Sequence, residues 1–222
     1  MLKKENVSPE LIKYLSLLMK LEVLNNHRLV GGTALALQMG HRVSVDIDLF
    51  SDKKNDYDKI LFELNNQFGD NFQEMRRFNS TISSGISVKV GSIKTDILDW
   101  NTKFIKPELT DEGIRMASKE DIIPMKFNTF LCDPQFARYE KKDFVDIAFL
   151  MQEYSLEKII ELYSKKYPKQ ALSPRLIIEG LQSNELADKK VMPIMINNIN
   201  WHGVKKIIQN SIDEYVKKHI DQ

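Results

Sequence analysis

Residues 31–50, GGTALALQMGHRVSVDIDLF, decide the fold that this sequence predicts. Two glycines open a short helical run, and a strand that carries Asp46 and Asp48 follows it. Because successive side chains of a strand point to opposite faces, the two aspartates share one face of the predicted sheet. The other face is apolar, as packing on a core requires, and consists of Val45, Ile47 and Leu49.

Two aspartates on one strand face need a physical reason, because aspartate is depleted in strands. A cation, a hydrogen-bond network or open water would make the pair tolerable. Upstream, Gly31, Gly32 and Thr33 offer closely approachable backbone, a helix N-terminus and a hydroxyl donor, which are what phosphate oxygens need. Together these features predict a metal site beside a phosphate-binding turn, and hence chemistry on a nucleoside triphosphate. The structural alternatives are a solvated sheet face and an ordinary strand-to-helix turn.

A third carboxylate comes from a predicted hairpin, ISVKV-GS-IKTDILDW, at residues 86–100. Asp96 and Asp99 lie on opposite faces of its return strand, so only one of them can join Asp46 and Asp48. We favour Asp96, because Asp99 sits at the strand exit, where a solvated carboxylate costs little. Three such carboxylates are hard oxygen ligands of the kind that Mg²⁺, or Mn²⁺, takes at phosphoryl-transfer sites.

Basic and hydroxyl side chains near these motifs are candidates for binding the triphosphate. Ser44 shares the strand face of Asp46, and Arg42 can pair either with a phosphate or with a surface carboxylate. Lys126 lies on an apolar helical stripe, so its ammonium either snorkels to the surface or is presented to a triphosphate.

A second group of charged residues lies on a later predicted helix, at residues 138–153. Asp143 and Asp146 share a face of this helix with Lys142 and with Arg138. Lys142 and Asp146 have the spacing of an ordinary i, i+4 ion pair. The alternative is that a catalytic base comes from this group.

The hydrophobic pattern predicts an α+β fold in two parts, with a core at residues 1–117 and a helical part at 118–222. A leading helix over 9–25 is followed by a mixed sheet of β-α-β-β-β order, and residues 101–117 are predicted to form a loop. The helices of the second part are predicted at residues 119–132, 138–153, 155–165, 173–181 and 201–219.

Composition excludes several classes of protein. The 222 residues are 42% hydrophobic and 28% charged, which is typical of a globular protein. The net charge of +1 gives no overall electrostatic attraction to nucleic acid. The single cysteine, Cys132, rules out an internal disulfide. With no apolar run of membrane-spanning length and no signal peptide, a cytoplasmic protein with no membrane partner is expected.

At these residues the sequence resembles the nucleotidyltransferase-fold family of AbiE-type (AbiEii/AbiGii-like) toxins, the type IV toxin–antitoxin group. The resemblance covers about residues 28–153. It rests on GGTAL at residues 31–35, RVSVDIDLF at 42–50, the lone helical Lys126, and the run from Arg138 to KDFVD at 142–146.

The resemblance implies a polymerase-β-like nucleotidyltransferase sheet core followed by a helical part. It implies magnesium at Asp46 and Asp48, and a catalytic-base candidate at Asp143 or Asp146. It also implies nucleotide contacts, which fall on Gly32, Thr33, Ser44 and Lys126. Members of the family act on nucleoside triphosphates, some modify tRNA acceptor ends, and a cognate antitoxin is an expected partner.

We therefore expect a magnesium-dependent nucleotidyltransferase that moves NMP from an NTP to an RNA hydroxyl, such as that of a tRNA, rather than to a protein. Asp46, Asp48 and Asp96 would bind metal, and Gly31, Gly32, Thr33, Arg42, Ser44, Lys126, Arg138 and Lys142 would bind nucleotide. Two alternatives are a non-catalytic nucleotide-binding module that sequesters a partner or RNA, and a sugar transferase that uses its D-x-D motif.

Overall fold

The structure, a computed structural model, describes residues 1–80, 83–131, 139–170 and 173–220. The chain divides into two compact units, residues 1–118 and 119–222. The first unit is a sheet with helices, and the second is helical, so the predicted α+β fold with a mixed sheet is confirmed. Among the described residues, no helix combines the length and the apolar character that crossing a bilayer requires.

Seven strands form the sheet of the first unit. They are β1 (Arg28–Leu29), β2 (Ile47–Ser51), β3 (Phe72–Asn79), β4 (Ser83–Val90), β5 (Ile93–Trp100), β6 (Leu109–Asp111) and β7 (Ile114–Met116). Their order across the sheet is β3-β4-β5-β2-β1-β7-β6. The β2–β5 and β1–β7 pairs are parallel, and the remaining neighbours are antiparallel.

The two sheet faces differ along the central strands. Ile47 of β2 and its partner Thr95 of β5 are fully buried, as are Leu49 and its partner Ile97. The opposite face carries Asp48 and the other polar side chains of the candidate site. The alternation that the sequence predicts for these two strands is therefore confirmed.

Three α-helices complete the first unit: α1 (Pro9–Leu18), α2 (Gly31–Met39) and α3 (Tyr57–Phe68). Capping residues mark three of their ends. The Ser8 hydroxyl accepts the Leu11 N–H at the start of α1, and the Asp56 carboxylate accepts the Lys59 N–H at the start of α3. Gly40, with φ +73°, is the left-handed C-cap of α2, as predicted.

Three predictions about this unit are wrong. The leading helix ends at Leu18 instead of residue 25, because the backbone of Leu21 is extended. A 3₁₀ turn at Glu22–Leu24 follows, and it buries the apolar side chain of Leu24, whose spacing had suggested a longer helix. Residues 101–117 contain the β6–β7 hairpin, whose three-residue strands are too short to show a period of two. Val45 is 64% exposed, because β2 begins two residues after it.

The second unit contains five α-helices in its described part: α4 (Lys119–Leu131), α5 (Lys141–Leu150), α6 (Leu156–Lys166), α7 (Pro174–Gln182) and α8 (Trp201–Ile220). Each lies within three residues of its predicted range. The core between them buries aromatic and aliphatic side chains, including Phe127, Phe144, Ile159, Tyr163 and Val204.

His27 makes the stability of the first unit depend on pH. The side chain is fully buried, and neither ring nitrogen has a hydrogen-bond partner among the described residues. Burial, which would strip the imidazolium of its hydration, lowers the pKa of His27 from an ordinary 6.5 to about 4. Between pH 6.5 and about pH 4, His27 of the unfolded chain holds a proton that His27 of the folded chain lacks, so protonation favours unfolding.

We expect the free energy of unfolding to fall by up to about 3 kcal/mol, through His27 alone, as the pH is lowered from 6.5 to 4. Urea unfolding of the wild type and of His27→Leu across this interval measures the effect. Since other groups titrate equally in both proteins, the difference between the two pH profiles isolates His27. Parallel profiles would contradict the prediction.

Candidate active site

The end of β1 and the carboxylate of Asp48 are held against each other by strand pairing. Leu29 pairs with Leu49, and the Val30 N–H donates to the Asp48 carbonyl over 2.9 Å. Gly31 follows with φ +68°, and a Cβ added to it would lie 2.5 Å from Oδ2 of Asp48. Only glycine both adopts this positive φ readily and leaves room for the carboxylate. The first residue of GGT therefore allows a carboxylate to approach the N-terminus of α2.

Gly32 leaves room for the guanidinium of Arg42. A Cβ at Gly32 would overlap Nη2 of Arg42 and would lie 3.4 Å from Oγ of Ser44. Arg42 is only 3% exposed, and its Nη1 donates to the Val43 carbonyl over 3.0 Å. Burial of the guanidinium does not decide between a carboxylate and a phosphate as its partner, and both alternatives stay predictions.

The two predicted hydroxyl ligands, Thr33 and Ser44, bond to each other. Their side-chain oxygens are 2.9 Å apart, and the Thr33 hydroxyl also lies within hydrogen-bond distance of the main-chain carbonyl of Asp46. Both residues are buried. In this structure the hydroxyls tie the start of α2 to the segment before β2, and so position the two aspartates.

Asp48 and Asp96 are cross-strand neighbours on the same face of the sheet. They are register partners in the parallel β2–β5 pair, and Asp46 precedes Asp48 by two residues. Asp96 accepts a hydrogen bond of 2.5 Å from the Ser87 hydroxyl and forms an ion pair with Lys94. Ser87 and Lys94 are absent from the predicted site. The Ser87 contact depends on a strand register that sequence patterning does not give, whereas Lys94 is two residues before Asp96 on the same strand face.

Asp46 and Asp48 are a simpler set of protein ligands for a divalent cation than the predicted set of three aspartates. The described part of the chain holds no group of three or more His, Cys, Asp or Glu side chains arranged for a metal ion. Asp46 and Asp48 are half-buried, and the Asp48 carboxylate occupies the space that a side chain at residue 31 would take. Two carboxylates suffice for Mg²⁺ when substrate phosphates and waters supply the other oxygens.

Asp99 lies apart from these residues, on the opposite sheet face, as predicted. Its carboxylate is not simply solvated: it accepts hydrogen bonds from the Tyr57 hydroxyl (2.8 Å) and the Ser84 N–H (2.9 Å). Burial, followed by this hydrogen bond, raises the pKa of Tyr57. Asp99 lines an open cleft of about 650 Å³ that also involves Lys54 and Arg77.

In the second unit, Lys126 forms a buried ion-pair cluster with two aspartates. Its Nζ lies 2.9 Å from Oδ1 of Asp143 and 2.7 Å from Oδ2 of Asp146. Lys126 is 6% exposed and both aspartates are fully buried, so the snorkelling alternative is wrong. The structure brings together the lysine and the two base candidates, which the sequence placed on separate helices.

The remaining predicted residues of this unit are less defined. Lys142 is half-buried on α5, next to Asp143. Arg138 lies outside the described residues. A second buried ion pair, between Lys166 of α6 and Asp121 of α4 at 2.9 Å, was missed by the sequence prediction. Only the packing of α4 on α6 shows that these two charges meet.

Comparison with known proteins gives one family match and one sequence relative. The model of the AbiEii nucleotidyl transferase toxins, of type IV toxin–antitoxin systems, matches residues 18–206. The uncharacterised protein aq_aa25 of Aquifex aeolicus is 28% identical over 201 residues, which cover 89% of this chain and 91% of that protein.

Several solved structures share the fold, among them the following two. MenT4, a nucleotidyltransferase toxin from Mycobacterium tuberculosis, matches with a TM-score of 0.54 at 13% identity, over 90% of this chain and 83% of MenT4. ANT(2″)-Ia in complex with adenylyl-2″-tobramycin matches with a TM-score of 0.52 at 17% identity, over 73% of this chain and 98% of that one. At such identities these likenesses establish the nucleotidyltransferase fold.

Proposed function

The chain belongs to the AbiEii family of nucleotidyl transferase toxins, and we propose that it moves a nucleoside monophosphate from an NTP to an RNA hydroxyl, with Mg²⁺ as its metal. Its activity class, nucleotidyl transfer, follows from the family, which favours it over the sugar-transferase alternative. A cognate antitoxin is the partner that a type IV system implies.

The observation that carries this proposal is the contact between the GGT turn and the D-x-D strand. Gly31 brings the N-terminus of α2 against the Asp48 carboxylate, and Thr33 holds the segment before β2 in place. Helix N-terminal N–H groups favour phosphate oxygens, and carboxylates favour the cation that accompanies them. A metal–triphosphate complex needs both within reach, and strand pairing supplies both.

Asp46 and Asp48 would hold the metal, and the start of α2 would face the triphosphate. The bound cation would neutralise charge that develops on the phosphates during transfer. The absence of side chains at Gly31 and Gly32 makes room for the Asp48 carboxylate and the Arg42 guanidinium, and this buried guanidinium adds a positive charge beside Gly32. Asp96 is held in orientation by Ser87 and Lys94.

The reaction balances as an in-line displacement. The acceptor hydroxyl oxygen forms a bond to the α-phosphorus, the bond from that phosphorus to the β-phosphate oxygen breaks, and pyrophosphate leaves. The hydroxyl proton passes to a carboxylate. Asp96, in the first unit, and Asp143 and Asp146, in the second, stay the candidates for this base.

Labelled transfer tests the proposal. Each of the four NTPs, labelled at the α-phosphate, is incubated with the protein, Mg²⁺ and total cellular RNA or total protein. We expect label from at least one NTP to enter RNA, and none to enter when Mg²⁺ is chelated. Label in protein would change the acceptor, and NTP binding without any transfer would favour the non-catalytic module. A small-molecule fraction is a third arm, because ANT(2″)-Ia was solved with an adenylylated small molecule.

A further inference from the structure

A row of positive side chains crosses the candidate-site face of the sheet beside Asp96. Lys94 of β5 is two residues before Asp96 and shares its face, and Lys89 of β4 is the cross-strand partner of Lys94. On β3, Arg76 is paired with Ser87, the residue whose hydroxyl binds Asp96. We call Arg76, Lys89 and Lys94 the basic strip; all three are exposed.

Packing does not explain the basic strip. Lysines that face each other directly across two strands repel, and such positions usually hold opposite charges. The core face of the same two strands is apolar and buried, with Val88 opposite Thr95. Nothing on the core side therefore requires cations at Lys89 and Lys94.

The charge of the basic strip is compensated in part. Lys94 is paired with Asp96, and Lys89 is attracted electrostatically to Glu10. Neither Lys89 nor Arg76 has a carboxylate within ion-pair distance in the described part of the chain. The neighbouring Arg77, which points to the other face, pairs with Glu74 at 2.7 Å and Asp58 at 2.6 Å. One arginine of β3 is thus neutralised internally, and the one on the candidate-site face is left for a partner.

The position of the basic strip relates it to the reaction. Asp48 and Asp96 are adjacent across β2 and β5, and Lys94 lies about 7 Å further along β5. Lys89 lies opposite Lys94 on β4, about 5 Å away, and Arg76 on β3 lies level with Ser87 and Asp96, two strands and about 10 Å from Asp96. Arg76 also stacks on Phe78, 5.5 Å from its ring centroid. An exposed row of cations beside an aromatic ring suits a single-stranded polynucleotide backbone.

We propose that the basic strip binds the phosphates of a single-stranded RNA acceptor whose reacting hydroxyl lies at Asp48. The proposal rests on the proposed function for the identity of the reaction. It adds the acceptor surface, which neither the GGT turn nor the D-x-D strand supplies. Binding through phosphates is insensitive to base sequence, so selection of a particular RNA is left to other contacts.

Fluorescence anisotropy with a short labelled single-stranded RNA, without NTP or metal, tests the strip by itself. We expect Lys89→Glu to weaken binding about tenfold, and to make the slope of log K against log[salt] less negative by about 0.7 or more. Arg76→Glu should act in the same way. The matched control is Lys59→Glu, an equal charge change on α3, which covers the opposite face of the sheet through Tyr57 and Asp99.

The proposal that the basic strip binds RNA would be contradicted if the wild type had no salt-dependent affinity for RNA. It would also be contradicted if Lys59→Glu lost as much RNA affinity as Lys89→Glu. The labelled-transfer assay separates this result from the proposed function. If Lys89→Glu transfers label to RNA with an unchanged KM for RNA, the proposed function is supported and RNA binding by the basic strip is contradicted. A different result separates the two proposals the other way: Lys89→Glu loses RNA affinity, but label enters only protein or small molecules. It would support the basic strip as an RNA-binding surface and contradict RNA as the acceptor.

Discussion

Asp48→Asn should reduce nucleotidyl transfer by at least about a thousandfold, the effect of losing several kcal/mol of charge stabilisation at the metal. The amide keeps the shape of the carboxylate beside Gly31 and removes its charge. Fold and stability should therefore be unchanged, as judged by circular dichroism and thermal unfolding. The activity is measured as α-phosphate label transferred per unit time at saturating NTP.

Two further variants calibrate the Asp48 result. Asp52→Asn, just beyond β2, removes a carboxylate that pairs with Lys103 at 3.6 Å and should leave transfer near the wild-type rate. Asp96→Asn should cost less than Asp48→Asn, because Asp96 is already engaged by Lys94 and Ser87. Wild-type transfer in Asp48→Asn would exclude the D-x-D strand from the chemistry.

Lys126→Met should lower the free energy of unfolding by about 3–5 kcal/mol, the cost of breaking a buried ion pair by removing one partner. Without the ammonium, the buried carboxylates of Asp143 and Asp146 would lose the cation that contacts both of them. Urea unfolding followed by circular dichroism measures the loss. The effect should appear in the absence of nucleotide, because it arises from the cluster itself.

Lys119→Met is the matched control on the same helix. Lys119 pairs with Glu153 at 2.6 Å, but that carboxylate is 44% exposed, so the loss should be about 0–1 kcal/mol. A double variant, Lys126→Met with Asp146→Leu, should recover part of the stability by removing one of the two buried charges. If Lys126→Met cost no more than Lys119→Met, the cluster would have no structural role.

Local chemistry explains why much of the fold was predictable. The alternation of β4 and β5, the hairpin at Gly91-Ser92 and the left-handed Gly40 each depend on a few neighbouring residues. The exceptions depended on distant partners. The short strand β7 exists through its parallel pairing with β1, and Arg115 on it donates to the carbonyls of Met19, Leu24 and His27.

The same distinction divides the candidate site. The sequence by itself determined that Asp46 and Asp48 follow a glycine turn, since strand and turn signals are local and survive any arrangement of the rest. Only the tertiary structure decided the partners. It placed Asp96 beside Asp48 and Ser87, tied Thr33 to the Asp46 carbonyl, and joined Lys126 to Asp143 and Asp146. Ion pairs and register join residues far apart in the chain, and no local pattern records which of the available charges will meet.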